Sequence, residues 1–566
     1  MDNFKKILLN ELPNFKEYSS KFLNGEINKM QYKGFSGGYG VYAQRDKKSF
    51  MIRLRVSAGV LSQYQLNKIY EIAIKHNLDK IHLTTRQAIQ LHDLSINSIV
   101  DIMEEGIKND IFTRGGGGNY PRNVGLSPLS GVDPSEVFDV TPYAVATDKY
   151  FIKNATTYHL PRKLKVSYSN CYTDTAHCSI QDLGFVATLK NDEPYFRVFL
   201  GGGLGKQPKV ALELDELIKP KDALYCVEGM IKFFMDYGNY ENKNRARVRY
   251  MVESLGEELF LEKFKEYYKL EKENGSLELN IEEIDYSKPG VKIDIQDSRL
   301  IPQKQDGLYT VYIHPVGGIL LTKDLSTLLK ELDNVENPMI RLGMTEGLYI
   351  LNLNGNEAKR ILEISKTISC NSQLEQSISC IGVPICQMGI QNSQKMLHEI
   401  IDYFRLQNNE EILNKAPKLY ISGCLNSCGV HQVGSIGLCG KKKNVDGIST
   451  DAFELFVGGS FEIGKTRLGK SLGDFKASDI PEMLYKISDA SSGNFYEWVN
   501  SNDNILNKIT DKYKIKFIIF TYKKHGCLKM NFLVYETLFF YEIKYIFIIS
   551  TMKNKTISIL RQPYFL

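Results

Sequence analysis

Four of the ten cysteines form two closely spaced pairs, an arrangement that can hold a metal centre. Cys380 and Cys386 enclose five residues in SCIGVPICQMG, and Cys424 and Cys428 enclose three in SGCLNSCGVHQ. Zinc fingers and ribbons separate paired ligands by about two to four residues, so the first pair is too wide for them. Four thiolates are the ligand set of a 4Fe–4S cluster. Neighbouring glycines would let the backbone wrap closely around its core: Gly382, Gly389, Gly423 and Gly429.

The alternative for any single cysteine is burial as a small apolar residue, which is common for free thiols. An internal repeat weighs against this alternative for Cys428. Leu164–Ala187 resembles Pro417–Gly440 without a gap, and Thr175 stands in the first copy where Cys428 stands in the second. The repeated scaffold therefore does not require this thiol, which favours a chemical role. We expect the other cysteines to be buried apolar residues: Cys171, Cys178, Cys226, Cys370, Cys439 and Cys527.

The elements around the repeat predict a mixed fold with two related halves. An alternating strand, an amphipathic helix, one or two strands and a second helix are predicted over Ser49–Gly59, Leu61–Asn77, Lys80–Leu94 and Ile96–Ile107. A similar order recurs over Gly307–Leu320, Ser326–Asn334, Met339–Leu353 and Asn356–Ser365. This order of strands and helices is typical of a ferredoxin-like α+β sandwich. The sequence therefore predicts an α+β fold with a pseudo-two-fold duplication.

The composition sets broad limits on function. The 566-residue chain is 43% hydrophobic and carries a net charge of +5, which does not indicate nucleic-acid binding. The N-terminus has no apolar stretch of a signal peptide, and Leu533–Ser550 is interrupted by charges, so we expect a cytoplasmic protein without a membrane span. After about residue 504 the chain is crowded with Phe, Tyr, Ile and Lys, and we predict no domain from it.

Three further segments lie in order before the cysteines. They are TTRQAIQLH (Thr84–His92), PRNVGLSPLSGVDPSEVFDV (Pro121–Val140) and LPRKLK (Leu160–Lys165). Together with Cys-x5-Cys and Gly-Cys-x3-Cys-Gly, they resemble the signature of the sirohaem-dependent nitrite and sulfite reductases. The resemblance covers roughly residues 29–499 and leaves the tail uncovered. The three segments and the cysteine signature make four ordered motifs, which are far more specific than any single match.

The resemblance implies a fold, two cofactors and a set of site residues. The expected fold is the duplicated nitrite/sulfite reductase fold, with ferredoxin-like half-domains and sirohaem/4Fe–4S domains. Cys380, Cys386, Cys424 and Cys428 would hold the cluster, and Cys428 would also be the proximal ligand of the sirohaem iron. The residues implied on the substrate side are Arg86, Arg122, Lys163 and Lys165. Sirohaem carries eight carboxylates, and the weaker candidates for binding it are Arg53, Arg55, Gln87, Asn123 and Lys465.

The resemblance also suggests domain boundaries. The expected order is an N-terminal ferredoxin-like half-domain, a first sirohaem-binding domain without cluster ligands, a second ferredoxin-like half-domain, a 4Fe–4S/sirohaem-binding domain and a tail of unknown fold. The corresponding ranges are 1–125, 126–295, 296–368, 369–503 and 504–566.

The implied reaction is the six-electron reduction of a small oxyanion. Arginine and lysine suit such substrates because they donate hydrogen bonds and carry positive charge. Many nitrite reductases of the family carry Asn where Lys165 stands, and a second lysine favours a dianion. We therefore expect sulfite reduction to sulfide, with nitrite reduction to ammonia as the alternative. A non-catalytic iron–sulfur or zinc-binding protein is a second alternative.

No flavin or nicotinamide domain is visible in the sequence, so we expect electrons from a separate protein, a ferredoxin or otherwise a flavoprotein subunit. GSFEIGKT (Gly459–Thr466) fits the phosphate-loop pattern, but no βαβ succession surrounds it, which disfavours nucleotide hydrolysis. The glycines of Arg114–Pro121 likewise lack dinucleotide-binding spacing. We interpret His82 and His92 as structural residues.

Overall fold

A computed structural model of the chain describes residues 2–369 and 371–515. The chain divides into two units, Met1–Lys514 and Ile515–Leu566, and the described helices and strands belong to the first unit. Cys370, Cys527 and most of the segment after residue 504 lie outside the described residues. Among the residues that are described, no helix has the length and apolar character needed to cross a membrane.

The two parts of the N-terminal half follow each other along the chain. The first part contains α1 (Asp2–Leu23), α2 (Lys29–Ser36), β1 (Val41–Ala43), β2 (Phe50–Leu54), β3 (Val60–Leu61), α3 (Gln63–Lys75), β4 (Lys80–Leu83), β5 (Ile89–Leu94) and α4 (Ile96–Lys108). The second part contains β6 (Gly125–Leu126), α5 (Thr141–Lys153), β7 (Val166–Ser169), β8 (Leu183–Lys190), β9 (Glu193–Leu200), β10 (Leu212–Glu213), α6 (Ala223–Tyr237), α7 (Val248–Leu255) and α8 (Glu257–Asn274).

The C-terminal half repeats this succession. Its first part contains β11 (Leu300–Pro302), β12 (Leu308–Ile313), β13 (Ile319–Leu321), α9 (Thr322–Leu332), β14 (Met339–Leu342), β15 (Leu348–Asn354) and α10 (Gly355–Ile364). Its second part contains β16 (Ile378–Ser379), α11 (Ser393–Leu406), α12 (Glu410–Lys415), β17 (Leu419–Ser422), β18 (Ile436–Val445), β19 (Ile448–Val457), β20 (Lys470–Lys476), α13 (Ile480–Ala490), α14 (Phe495–Ser501) and α15 (Asp503–Thr510). The segment expected to be anomalous thus begins inside a helix whose Leu506 is buried in the core.

Local signals in the sequence explain why the predicted helices form. Helix α3 starts at Ser62, whose hydroxyl accepts from the backbone of Gln65 while the Gln65 side chain accepts from the backbone of Ser62, a reciprocal cap. Ser95 caps α4 in a similar way through the backbone of Ser98. Both helices turn an apolar face to the sheet of the first half-domain, as their spacing predicted.

The two half-domain sheets exchange one strand each. The first sheet has the order β1-β2-β5-β4-β13, and the second has the order β11-β12-β15-β14-β3. In the first, Ile319 of β13 pairs with His82 of β4; in the second, Leu61 of β3 pairs with Ile340 of β14. Residues from both half-domains therefore belong to one hydrophobic core. The α+β fold class is confirmed, and the exchange adds backbone hydrogen bonds between the halves.

The two copies of the repeat form equivalent sheets. Their orders are β10-β9-β8-β7-β6 and β16-β17-β18-β19-β20, with parallel pairs β6/β7/β8 and β16/β17/β18. Gly184 and Gly437 occupy equivalent positions in β8 and β18. A Cβ atom added there would lie 2.4 Å from the carbonyl oxygen of Cys178 or 1.8 Å from that of His431. The same steric constraint thus acts in both copies, which confirms the duplication.

The turns β4–β5 and β14–β15 are also equivalent. Gln87 and Glu346 both adopt positive φ there, at 51° and 62°. Gln87 Oε1 accepts from the backbone N–H of Leu126 at 2.8 Å, and Glu346 Oε2 accepts from that of Ser379 at 2.9 Å. Each side chain therefore joins a half-domain turn to the first strand of the following sheet.

Glu346→Gln should make the thermal stability of the protein less sensitive to rising pH. Burial raises the pKa of Glu346 to about 8, and Gln87 shows that an amide fits the equivalent position. A raised carboxyl pKa contributes stability at low pH that is lost as pH rises towards the folded-state value. We expect the Tm of the wild type to fall more than that of the variant between pH 5.5 and 8.5, by roughly 1–3 °C. Circular dichroism melts of both proteins check this.

Glu258→Gln is the matched control, because Glu258 is exposed on α8. It should follow the wild-type curve. Parallel pH curves for the wild type and Glu346→Gln would contradict the assignment of the pH dependence to Glu346.

Candidate functional site

The four paired cysteines meet at one edge of the second-copy sheet. Cys380 directly follows β16, and Cys424 and Cys428 follow β17. Because β16 and β17 are parallel neighbours, the loops after their carboxyl ends leave the same edge. The backbone N–H of Gly423 donates to Cys380 Sγ at 3.2 Å, which joins the two loops directly.

The thiols are close enough to influence one another's ionisation. Burial raises the pKa of Cys424 to about 11, and the charge of Cys428 adds to this rise. Burial and the charge of Cys428 also raise the pKa of Cys380 and of Cys386. Bound iron would offset this repulsion, because metal coordination deprotonates thiols. Among the described residues, no group of three or more His, Cys, Asp or Glu side chains is arranged to hold a single metal ion.

Glycine is required where the two cysteine loops cross. Gly382 has a φ of +54°, and a Cβ atom there would lie 2.5 Å from Ser393 Oγ. A Cβ atom on Gly423 would lie 2.6 Å from the carbonyl oxygen of Gln391. Larger residues at either position would separate the loops and move the thiols apart. Four other cysteines are buried, as expected: Cys171, Cys178, Cys226 and Cys439.

The arginines and lysines predicted on the substrate side come from adjacent segments of the first half. Arg86 lies in the β4–β5 turn, whereas Arg122 precedes β6. Lys163 and Lys165 flank the buried Leu164 just before β7. The backbone N–H of Arg122 donates to the carbonyl of Leu164 at 2.8 Å. The structure therefore brings these cations together through the parallel arrangement of the chain leading into β6 and β7.

Arg86 is held rigidly. Its Nε donates to the carbonyl of Asn123 at 3.0 Å, its Nη2 to that of Val166 at 2.8 Å and its Nη1 to Ser167 Oγ at 3.2 Å. Asn123 completes the support by donating to the carbonyl of Gln87 at 2.8 Å. Asn123 and Gln87, which were predicted to bind the cofactor, thus serve the framework of the arginine turn.

Arg122 keeps an unused donor. Its Nη2 donates to the carbonyl of Gly118 at 2.8 Å, whereas its buried Nη1 has no hydrogen-bond partner among the described residues. A buried unpaired guanidinium nitrogen is costly. It therefore indicates a site for an acceptor such as an oxyanion or a carboxylate.

The group carries a marked excess of positive charge. Burial and repulsion from Arg86 and Arg247 lower the pKa of Lys165 to about 7, and burial lowers the pKa of Lys163 well below its usual value. Asp182 is a carboxylate that partly balances these charges, and it binds Arg247 through both oxygens at 2.8–3.1 Å. The remaining charge suits an anionic ligand.

The cation group faces the cysteine edge. The charge of Cys428 opposes the lowering of the pKa of both Lys163 and Lys165, so this thiol lies within electrostatic reach of the lysines. Thr85, next to Arg86, donates from its hydroxyl to the carbonyl of Cys428 at 2.8 Å. Residues more than 250 positions apart in sequence thus line one site.

Two arginines of this site were not predicted from the sequence. Arg247 reaches the lysines, and the buried Arg249 has Nε and Nη1 without partners in the described part of the chain. A Cβ atom on Gly203 would lie 3.0 Å from Arg249 Nη1, which places this arginine at the glycine turn after β9. The alternating arginines of Asn244–Tyr250 were the available signal, but an alternating cation pattern alone is typical of a solvated segment.

Some predicted cofactor residues have other partners. Arg55 is buried in an ion pair with Asp148 at 2.6 Å and does not contribute a free charge. Arg53 donates to the carbonyl of Gly116 at 2.6 Å, although its charge still reaches Arg122. Both side chains therefore serve to hold the segment around Arg122 rather than to extend the lysine pair.

Lys465 lies on an exposed loop and pairs with Glu462 at 2.9 Å. The surrounding phosphate-loop pattern joins β19 to the antiparallel β20, and the described residues between these strands form no helix. Phe461 of this loop stacks on His177 at 4.1 Å, so the loop packs against the other copy of the repeat. The pattern therefore does not form a nucleotide site.

Comparisons with known proteins find domains of nitrite and sulfite reductases in this chain. The family model described as "Nitrite/Sulfite reductase ferredoxin-like half domain" matches residues 42–108, and "Nitrite and sulphite reductase 4Fe-4S domain" matches residues 117–272. The second match covers the copy that lacks the paired cysteines. The NirA protein of Mycobacterium tuberculosis has a similar fold, with a TM-score of 0.74, 22% identity and coverage of 89% of this chain and 96% of that one.

Similar proteins of known name are nitrite or sulfite reductases. An assimilatory ferredoxin-dependent nitrite reductase of Haloferax mediterranei is 27% identical, covering 74% of this chain and 76% of its own. A ferredoxin–nitrite reductase of Synechococcus elongatus is 25% identical over 77% and 85%. A sulfite reductase (ferredoxin) of Mycolicibacterium paratuberculosis is 24% identical over 76% and 80%. The two matched domains, over residues 42–108 and 117–272, are domains of the nitrite and sulfite reductases, and the similarity to these relatives over 74–77% of the chain supports the sirohaem-dependent nitrite and sulfite reductase family.

The residues present fit the prosthetic groups of this family, a 4Fe–4S cluster and sirohaem. Four thiols at one edge match the ligand set of the cluster. The buried nitrogens of Arg122 and Arg249 that lack partners among the described residues match the need of sirohaem for many carboxylate-binding donors. Cys380, Cys386, Cys424 and Cys428 would hold the cluster, and Cys428 is a thiol within electrostatic reach of the lysines.

Cys428→Ser should impair iron and sirohaem binding together. An alcohol is a poor ligand for either group, and the resemblance to the family implies a thiolate for both at this position. The absorption spectrum and iron content of the purified variant measure the loss. Cys171→Ser is the matched control, because Cys171 occupies the position equivalent to Cys424 in the copy without the pair, and it should keep both. A normal sirohaem spectrum in Cys428→Ser would contradict the assignment.

Proposed function

We propose that the protein reduces sulfite to sulfide at the site between the cysteine edge and the cation group, with electrons from a ferredoxin. Similarity to the family supports the six-electron reduction of a small oxyanion. The observation that carries the proposal is a pair of contacts: Arg86 donates to the carbonyl of Val166, next to Lys165, and Thr85, next to Arg86, donates to the carbonyl of Cys428.

The charge of this group favours the more highly charged substrate. Two arginines lie largely out of water beside two lysines whose protonated forms a bound anion would favour, and Coulomb attraction to an anion is strong there. A dianion such as sulfite gains more from these cations than the monoanion nitrite does. Lys165 therefore acts as a specificity residue in this proposal.

The side chains have separate tasks. Arg86 is fixed by Asn123 and Val166 and presents its positive charge without reorganising. Arg122 offers its free Nη1 as a hydrogen-bond donor. Lys165, with a pKa of about 7, can donate a proton and regain it near neutral pH. When bound, sirohaem supplies an iron that coordinates the substrate and the cluster supplies single electrons.

Nitrite reduction to ammonia is the second candidate. It is favoured by the names of the relatives from Haloferax mediterranei and Synechococcus elongatus, which are nitrite reductases. The cation group accepts either oxyanion, so the distinction depends on how strongly Lys165 discriminates. The names of these relatives also support a ferredoxin as donor, with a flavoprotein as the alternative.

Steady-state assays with sulfite and with nitrite test the proposal. The same reduced ferredoxin should be used for both substrates, so that electron supply does not differ. We expect the larger kcat/KM for sulfite. A much larger kcat/KM for nitrite would assign the protein to nitrite reduction, and turnover of neither substrate by a protein with full sirohaem would overturn both candidates.

Lys165→Asn should move the preference towards nitrite. The change removes one positive charge and keeps a hydrogen-bonding side chain, so sulfite loses more attraction than nitrite. We expect the sulfite-to-nitrite ratio of kcat/KM to fall about tenfold, equivalent to about 1.4 kcal/mol. Lys190→Asn, on the exposed end of β8, is the control and should leave the ratio unchanged. An unchanged ratio in Lys165→Asn would show that Lys165 does not discriminate.

A further inference from the structure

Thr85 connects the two sides of the site. Its Oγ1 donates to the carbonyl oxygen of Cys428 at 2.8 Å. We infer that Thr85 is a positioning residue, which fixes the thiol of Cys428 relative to the neighbouring Arg86. The inference rests on the proposed function, because it gives Thr85 a task between the oxyanion-binding arginine and the thiol that would hold both prosthetic groups.

The turn that carries Thr85 is rigid. Thr84 Oγ1 donates to the carbonyl of Ala88 at 3.0 Å and accepts from the backbone N–H of Arg86 at 3.3 Å. Gln87 fixes the other side of the turn through Leu126, and Arg86 is bound to Asn123 and Val166. Thr85 thus presents its hydroxyl from a backbone with little freedom to move.

The loop that carries Cys428 has backbone hydrogen bonds on either side of this residue, from the N–H of Ser427 to the carbonyl of Cys424 at 3.4 Å and from the N–H of Val430 to the carbonyl of Ser427 at 3.1 Å. Ser427 adopts a positive φ of 54°, and the backbone N–H of Gly429 donates to Ser422 Oγ at 3.0 Å. Cys428 lies between these two positions and is exposed on the surface of the chain. The hydrogen bond from Thr85 therefore ties the loop to the first half of the protein at the residue that carries the thiol.

The internal symmetry indicates that this bond is not a requirement of the scaffold. The equivalence of Gln87 and Glu346 places Met344 opposite Thr85, and the repeat places Thr175 opposite Cys428. Met344 has no hydroxyl; its Cε lies 3.0 Å from a Cβ atom built on Gly125, so it serves in packing. The β4–β5 turn therefore carries the hydroxyl donor where the facing loop carries the thiol. In the equivalent pair, Met344 replaces the donor and Thr175 replaces the thiol.

The consequence is a link between substrate binding and thiol position. Arg86 and Thr85 are adjacent, so the distance from the guanidinium to the Cys428 loop is set by one short backbone segment and one hydrogen bond. Residues that orient metal ligands through hydrogen bonds affect the properties of the centre without touching it. Thr85 should therefore influence the electronic state of the iron that Cys428 would hold, besides turnover.

The test compares Thr85→Val with Thr85→Ser in the full-length protein carrying its prosthetic groups. Valine keeps the shape and removes the donor, whereas serine keeps the donor. We expect Thr85→Val to show an altered electron paramagnetic resonance signal of the ferric sirohaem and a kcat about tenfold lower, with little change in KM. Thr85→Ser should restore both the signal and kcat.

A wild-type signal and kcat in Thr85→Val would overturn the inference. Thr85→Ala serves as the second donor-free variant if Thr85→Val does not fold, and it should show the same altered signal. A signal equally altered in Thr85→Ser would also overturn the inference, because the hydroxyl would then not be the cause. The resonance signal needs no substrate, so failure of the proposed reaction with sirohaem bound is distinguished from failure of the role of Thr85.

Discussion

Strand β3 leaves the first half-domain to pair with β14 of the second, and β13 pairs with β4 in return. Each half-domain sheet is complete only with a strand from the other, so the halves cannot separate without exposing backbone hydrogen-bonding groups. The exchange fixes the β4–β5 turn relative to the second half of the chain, where the cysteine loops lie. Thr85 reaches Cys428, with Arg86 next to it in the chain, because this turn is held at the junction of the two halves.

The positive charges of the site lower the stability of the folded protein. Several half-buried cations lie close together, with Asp182 as a partner, and partial burial disfavours their charged forms. Such an arrangement destabilises the protein without its ligands and prepares it to bind anions. The carboxylates of sirohaem and an oxyanion substrate would both offset this repulsion. Rigid support, as seen for Arg86, keeps the charges in place before the ligands arrive.

Much of the fold and part of the site could be predicted from the sequence. The apolar periods indicated the helices and paired strands, and the alignment of Cys171 with Cys424 indicated two equivalent sheets. The strand exchange carries no local signal, since β3 is two residues long and any short apolar pair could form it. Arg55 could not be separated from the pocket residues, because its partner Asp148 lies 93 positions away. For the same reason no local pattern singled out Arg247, whose role depends on Asp182.

Together, the cysteine edge and the cation group should enclose one continuous metal centre. Anomalous diffraction at the iron absorption edge, on crystals of the protein purified with its prosthetic groups, locates the iron atoms of that centre. We expect four iron atoms among Cys380, Cys386, Cys424 and Cys428, and a fifth on the side of Cys428 that faces Lys163 and Lys165. A single metal ion at the cysteines, or a fifth iron away from Cys428, would contradict a continuous centre.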